Sequence, residues 1–153
     1  MMVIIAIIIT VIYVTAVSLL AGELPVSVSS TVYELGKKWS WVFTVVMFIV
    51  PMLLAPSLMS HSKGTEFLAF LTIGGVLGVG AAPLISGERN TFHYLCAAVS
   101  GLASQMLIAL NTPLLLLIWL PYICYTLYEK DCKHNLLCVE LECMIVIFVY
   151  CLI

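Results

Sequence analysis

The sequence predicts an all-α protein, a polytopic bundle of six transmembrane helices that forms one domain over residues 1–153. Of its 153 residues, 63% are hydrophobic and 9% are charged, against about 45–50% and about 25% in soluble domains. Six long apolar segments lack Lys and Arg. Backbone groups in lipid must bond within a helix or a closed barrel, and the alternating pattern of barrel strands is not seen.

The six apolar segments approach the roughly 20 residues that a helix needs to cross the hydrocarbon layer. They are 2–21, 40–59, 67–86, 93–111, 113–128 and 136–153. As an α-helix the fifth reaches only about 24 Å, so we expect it to begin in the preceding turn or to lie where the bilayer is thin. Five crossings remain if the last segment lies at the membrane surface.

The first segment lacks the basic start of a secretion signal, so we expect a retained anchor. In the loop that follows, Thr31 and Glu34 have the spacing of a capping box, which predicts a short interfacial helix leading into the second segment. Trp39 and Trp41 beside Lys38 indicate an interfacial collar.

The third segment contains two small-x-x-x-small patterns, Gly74 with Gly78 and Gly78 with Ala82. Such patterns allow close helix packing, so we expect this helix to be central in the bundle. The alternative is that these glycines expose backbone to a ligand.

The fourth segment has one polar face, whose candidate site residues are His93, Ser100, Ser104, Gln105 and Asn111. Leu95, Leu102, Met106 and Leu110 lie on the other side, so the helix is expected to turn one face to protein and the other to lipid. The polar face either bonds to neighbouring helices or lines a polar cavity from His93 to Asn111. In the second case Ser100 and Gln105 would contact a ligand near mid-membrane.

Two further local signals concern the last segments. Asn111-Thr112-Pro113 places a cap before a proline, which predicts a tight hairpin between the fourth and fifth segments. Glu140 and Glu142 are the carboxylates inside a predicted span. Glu140 is a candidate intramembrane acid for a proton or cation, although both residues lie close enough to the helix start for an interfacial role.

Basic residues predict the orientation of the chain. Five of the six lie in loops 22–39, 87–92 and 129–135, and Lys63 lies on the opposite side. The positive-inside bias therefore places those three loops in the cytoplasm and both termini outside.

Several functions are disfavoured by the sequence. Six Lys and Arg against eight Asp and Glu argue against nucleic-acid binding. The run Cys132, His134 and Cys138 falls short of a four-ligand zinc set. The sequence also lacks the common hydrolase, zinc-protease and P-loop motifs. We therefore expect no cofactor, no metal and no catalytic residue.

Four short stretches resemble small uncharacterised multi-pass proteins of Bacteroidota over most of residues 20–128. They are 25–33, Gly80-Ala81-Ala82-Pro83, His93-Tyr94 and Ser104-Gln105. The resemblance implies a bacterial inner-membrane location and no activity. The serine-rich first loop, and a histidine that opens a helix of small residues, are also similar to the six-helix Frag and DRAM-like membrane proteins.

The sequence favours a non-catalytic, transporter-like, lipid-binding or accessory membrane subunit. Its expected partners are membrane lipids, other membrane subunits or further copies of the chain. One alternative is a membrane enzyme acting on a lipid or prenyl substrate, with His93 and either Glu140 or Glu88 as acid and base. The other is a structural scaffold.

Overall fold

The computed structural model describes residues 1–86, 91–128 and 134–153, and contains no strand in these ranges. The helices are α1 (Met2–Ala21), α2 (Thr31–Glu34), α3 (Gly36–His61), α4 (Glu66–Ser86), α5 (Thr91–Asn111), α6 (Leu120–Tyr128) and α7 (Asn135–Leu152), with a 3₁₀ helix at Pro113–Trp119. Within the described ranges, α1, α3, α4, α5 and α7 are long and apolar enough to cross a membrane. The predicted fold class, an all-α transmembrane bundle, is confirmed, and the chain is a membrane protein.

At each of the two ends of the bundle, a hydrogen bond joins segments that are distant in the sequence. At one end, here called the loop end, His134 Nδ1 lies 3.2 Å from the carbonyl oxygen of Pro25. At the other, the hairpin end, Tyr150 donates to the carbonyl oxygen of His61 at 2.9 Å. Residues near both termini, Val3 and Cys151, pack in one cluster at this hairpin end.

The fifth predicted segment runs between these two ends as the 3₁₀ helix followed by α6. It starts beside Asn111 at the hairpin end, and Tyr122 donates a hydrogen bond to Asn135, the first residue of α7, near the loop end. A 3₁₀ helix rises about 2.0 Å per residue and an α-helix about 1.5 Å, so the segment extends about 28 Å. The segment is therefore longer than the roughly 24 Å expected of a purely α-helical segment, because seven of its residues are in the 3₁₀ conformation.

The core consists of two clusters stacked along the bundle. The cluster at the hairpin end includes Leu58, Leu107 and Val146, all almost fully buried. The cluster at the loop end includes Phe43 and Leu137. Each draws side chains from α1, α3, α4 and α7, so the core places α7 against the first half of the chain.

The close packing predicted for α4 is confirmed, but its predicted central position is wrong, because α4 packs on α3 and α5 whereas α3 also packs on α1 and α7. The residues responsible for the close packing also differ from those expected. A Cβ atom built on Gly75 would lie 2.6 Å from Ser100 Cβ, and one on Gly78 would lie 2.5 Å from Cys96 Sγ, so both glycines face α5. Gly80 faces Met47 of α3 in the same way. A Cβ on Gly74 would meet nothing within 4 Å. The expected Gly74–Gly78 pair is therefore wrong, because Gly75 occupies the interface instead.

The predicted short helix before the second span is present as α2, but Thr31 is its first residue rather than its cap. Ser30 is the N-cap residue. The Thr31 hydroxyl donates to the carbonyl oxygen of Val28 at 2.6 Å, and it lies 2.5 Å from the Tyr13 hydroxyl of α1. The expected capping box is therefore wrong, since the hydroxyl is used to fasten α2 to the loop and to α1.

Candidate functional site

A cavity of about 590 Å³ lies between α4, α5, α7 and Trp119 of the 3₁₀ helix. Its volume falls within the roughly 300–1,000 Å³ of pockets that bind small molecules. Hydrophobic side chains form most of its wall, as in ligand sites generally. The polar side chains in the wall are Ser29, Ser100, Ser104, Gln105 and Glu140.

The α7 side of the cavity is a stripe at helical spacing. Its members are Leu136, Val139, Glu140, Cys143, Met144 and Ile147. Residues three and four apart share one face of a helix, so this stripe follows from the geometry of α7. Glu142 is outside the stripe, so of the two acids in α7 only Glu140 borders the cavity.

The α5 side of the cavity is formed largely by small residues. Ala97, Ala98 and Gly101 line it, and a Cβ on Gly101 would meet nothing within 4 Å. The space that longer side chains would fill is therefore left open.

The cavity opens sideways, on the outer face of the bundle. Leu102 of α5 and Leu136 of α7 both line it and are 67% and 50% exposed. Leu102 stands in the middle of a helix long enough to cross the membrane. At Leu102 the opening therefore faces the bilayer, and at Leu136, the second residue of α7, it reaches the loop end.

Ser100 and Ser104 combine a place in the cavity wall with hydrogen bonds inside the protein. Ser100 is 7% exposed and donates to the carbonyl oxygen of Thr72 in α4 at 2.9 Å. Ser104 is 1% exposed and donates to the carbonyl oxygen of Gly101 in its own helix at 2.8 Å. The Ser100 bond is the expected kind of link between helices.

Gln105 joins α5 to the 3₁₀ helix across the cavity wall. Trp119 Nε1 donates to Gln105 Oε1 at 2.9 Å, and Gln105 Nε2 donates to Ser104 Oγ at 3.3 Å. The Trp119 ring also packs edge-on against Tyr122, with centroids 5.7 Å apart. Sequence reasoning missed Trp119. The available signal was that an indole N–H inside an apolar span needs an acceptor, and Gln105 is the polar amide in the middle of the neighbouring span.

Glu140 closes the loop end of the cavity by binding the segment 27–30. Its Oε2 accepts hydrogen bonds from the backbone N–H groups of Val28 and Ser29, the latter at 3.2 Å. Its Oε1 accepts one from the Ser29 hydroxyl at 3.0 Å. The carboxylate therefore holds the first loop against α7. A role for Glu140 with a proton or a cation remains a hypothesis.

His93 and Asn111, at the two ends of the predicted polar face, lie outside the cavity lining. His93 is 6% exposed, with its ring edge-on to Tyr94 at 5.6 Å. Asn111 Nδ2 donates to Thr65 Oγ1 at 2.8 Å and to the carbonyl oxygen of Leu107 at 2.9 Å. The polar face is thus divided: its middle borders the cavity, and Asn111 ties α5 to the turn before α4.

Metal binding receives no support from the described ranges, where no three His, Cys, Asp or Glu side chains are grouped closely enough to hold an ion. Cys132 of the proposed Cys-His-Cys run lies outside those ranges, as do Glu88 and the basic residues Arg89, Lys130 and Lys133. The acid–base pair of His93 with Glu88 therefore has no described geometry.

No protein-family model matches the chain, and no curated protein or solved structure is significantly similar to it. The resemblances to multi-pass proteins of Bacteroidota and to Frag and DRAM-like proteins stay predictions. Functional inference therefore starts from the geometry of the cavity.

Proposed function

We propose that this membrane protein binds lipid without catalysing a reaction, as a transporter-like or accessory subunit. An apolar lipid chain enters sideways from the bilayer, between α5 and α7. The observation that carries the proposal is the cavity of about 590 Å³, which is mainly apolar and opens beside the exposed Leu102 and Leu136.

The driving force for such binding is contact rather than the hydrophobic effect. Lipid tails are as apolar as the cavity wall, so transfer from bilayer to protein removes no apolar surface from water. An unfilled space deprives Ala98, Gly101 and Met144 of neighbouring atoms, and filling it restores their dispersion contacts. A lipid whose shape fits the cavity is therefore held more tightly than bulk lipid.

Native mass spectrometry of the protein released from gentle detergent tests the proposal. We expect a population carrying one lipid. Gly101→Leu places a side chain in the cavity and should remove that population. The matched control is Gly74→Leu, because a Cβ at Gly74 also meets nothing within 4 Å but Gly74 does not line the cavity. Equal lipid retention by both variants would contradict the proposal.

The same proposal includes a bacterial inner-membrane location, with loops 22–39, 87–92 and 129–135 in the cytoplasm and both termini outside. The orientation is supported by the position of Lys38 near the loop end and Lys63 at the hairpin end. Trp39 and Trp41 are exposed beside Lys38, whose Nζ lies 5.7 Å from the Trp39 ring centroid. This arrangement suits a basic and aromatic membrane interface.

Cysteine-accessibility labelling tests the orientation. In a variant without native cysteines, single cysteines at 38, 89 and 133 should react from the cytoplasmic side, and one at 63 from the opposite side. Labelling of 63 from the cytoplasm would reverse the assignment.

A further inference from the structure

Among the described residues that line the cavity, Gln105 has a side-chain amide N–H that can still donate a hydrogen bond. A side-chain amide has two N–H donors and one carbonyl oxygen. The indole of Trp119 can only donate, so its bond to Gln105 Oε1 fixes which way the amide points. Among the described residues, Nε2 has Ser104 Oγ as its acceptor, which leaves its second N–H without one.

The serine hydroxyl groups in the cavity wall already donate their hydrogens within the protein. Ser100 donates to Thr72, Ser104 donates to Gly101, and Ser29 donates to Glu140. An N–H without an acceptor in apolar surroundings is unfavourable. A ligand oxygen placed beside Gln105 would remove that penalty, whereas a pure hydrocarbon would leave it.

The charge of the cavity wall disfavours anionic ligands. Glu140 lies at its loop end. No Lys, Arg or His is among the described residues that line the cavity. An anionic ligand would therefore approach the Glu140 carboxylate without a cation among these described lining residues to offset the repulsion, which is costly in a medium of low dielectric constant.

Resting on the proposed function, we infer that the cavity selects an uncharged lipid that carries a carbonyl oxygen, as in an ester or a ketone. The carbonyl accepts the second N–H of Gln105, and the apolar chain occupies the space beside Gly101 and Met144. Hydrocarbons and fatty-acid anions bind less tightly.

Trp119 provides the reporter for the test. The chain has three tryptophans, and Trp39 and Trp41 are exposed outside the cavity. The double variant Trp39→Phe/Trp41→Phe therefore leaves Trp119 in the cavity wall as the one tryptophan. Three brominated probes with the same chain are titrated into the micelle-bound protein: dibromostearate methyl ester, dibromo-octadecane and, at a pH where it is ionised, dibromostearate. The measured quantity is the saturable part of the Trp119 quenching.

We expect the ester to bind about three- to tenfold more tightly than the hydrocarbon, the range for one neutral hydrogen bond, and the anion to bind most weakly. Gln105→Met should reduce the ester-to-hydrocarbon ratio to about one. Gln105→Glu should reduce the ratio in the same way. It keeps an oxygen that accepts from Trp119, but a neutral acid has a single O–H, which it donates to Ser104, so no donor is left for the ester. Ser104→Ala should retain the preference, because both N–H groups of Gln105 remain.

The outcomes separate the inference from the proposed function. No saturable quenching by any probe, or saturable quenching that survives Gly101→Leu, would overturn the proposed function. Saturable quenching with equal affinities for ester and hydrocarbon, an ester preference that survives both Gln105 variants, or tightest binding of the anion would overturn the inference alone.

Discussion

The two sides of α5 are built from similarly small residues and give opposite results. Towards α4, Gly75 and Gly78 bring the two backbones together, so that Ser100 reaches Thr72. Towards α7, Gly101 faces open space and a cavity remains.

The difference lies in the facing surface. α4 presents glycines to α5, whereas α7 presents bulky residues, Leu136 and Met144 among them, and Trp119 stands beside them in the cavity wall. Small residues allow close helix contact when the partner surface is also small. Opposite bulky side chains, they leave a space. A stripe of small residues in a membrane helix therefore indicates either a tight interface or a cavity. The size of the side chains on the facing helix determines which of the two forms.

The largest effect is expected on the tight side. Gly75→Leu forces a side chain against Ser100 and the Cys96 carbonyl oxygen, and should lower the free energy of unfolding by about 3 kcal/mol, the upper part of the range for overpacking. Gly101→Leu, on the open side, should leave stability within about 1 kcal/mol of the parent. Denaturation in mixed micelles measures both. Equal stabilities would mean that the two sides of α5 do not differ.

The second-largest loss of stability is expected where Glu140 of α7 binds the first loop. Glu140→Leu removes the acceptor for two backbone N–H groups of the first loop, and should lower the free energy of unfolding by about 2 kcal/mol. Glu140→Gln should lose less, since its amide oxygen still accepts. Protease sensitivity of residues 25–30 should rise in parallel. Glu142→Leu is the matched control, and an equal loss there would argue against a specific role of Glu140.

Trp119→Phe should have a smaller effect on the same side. It keeps an aromatic ring in the cavity wall but removes the donor to Gln105 Oε1, so we expect a loss of about 1 kcal/mol in unfolding free energy. Trp39→Phe, at an exposed site, serves as the control. If both variants were equally stable, the Trp119–Gln105 bond would not contribute to closing this side.

The smallest expected effect is at the hairpin end. A double-mutant cycle of Asn111→Leu and Thr65→Val should give a coupling free energy of about 0.6 kcal/mol, the average for hydrogen bonds between membrane helices. A coupling near zero would mean that this bond does not stabilise the α4–α5 hairpin.

The sequence predicted well what depends on local pattern. Apolar length identified the five long helices, and helical spacing showed which face of α5 is buried, with Ser104 inside and Leu102 outside. The sequence did not predict which residues of two distant segments come into contact, because tertiary packing determines those contacts. Adjacent residues differ by about 100° around a helix, so Gly75 rather than Gly74 was decided by the rotation of α4 against α5. The bonds of Glu140 to Ser29 and of Gln105 to Trp119 depend on such pairings too.

Photo-crosslinking with a lipid that carries a diazirine in its chain tests the central claim most directly. The account predicts preferential labelling of the cavity-lining stripes, residues 97–105 and 136–147, that disappears in Gly101→Leu and persists in Gly74→Leu. Labelling spread over outward-facing residues such as Leu95 and Leu110, unchanged by Gly101→Leu, would contradict it.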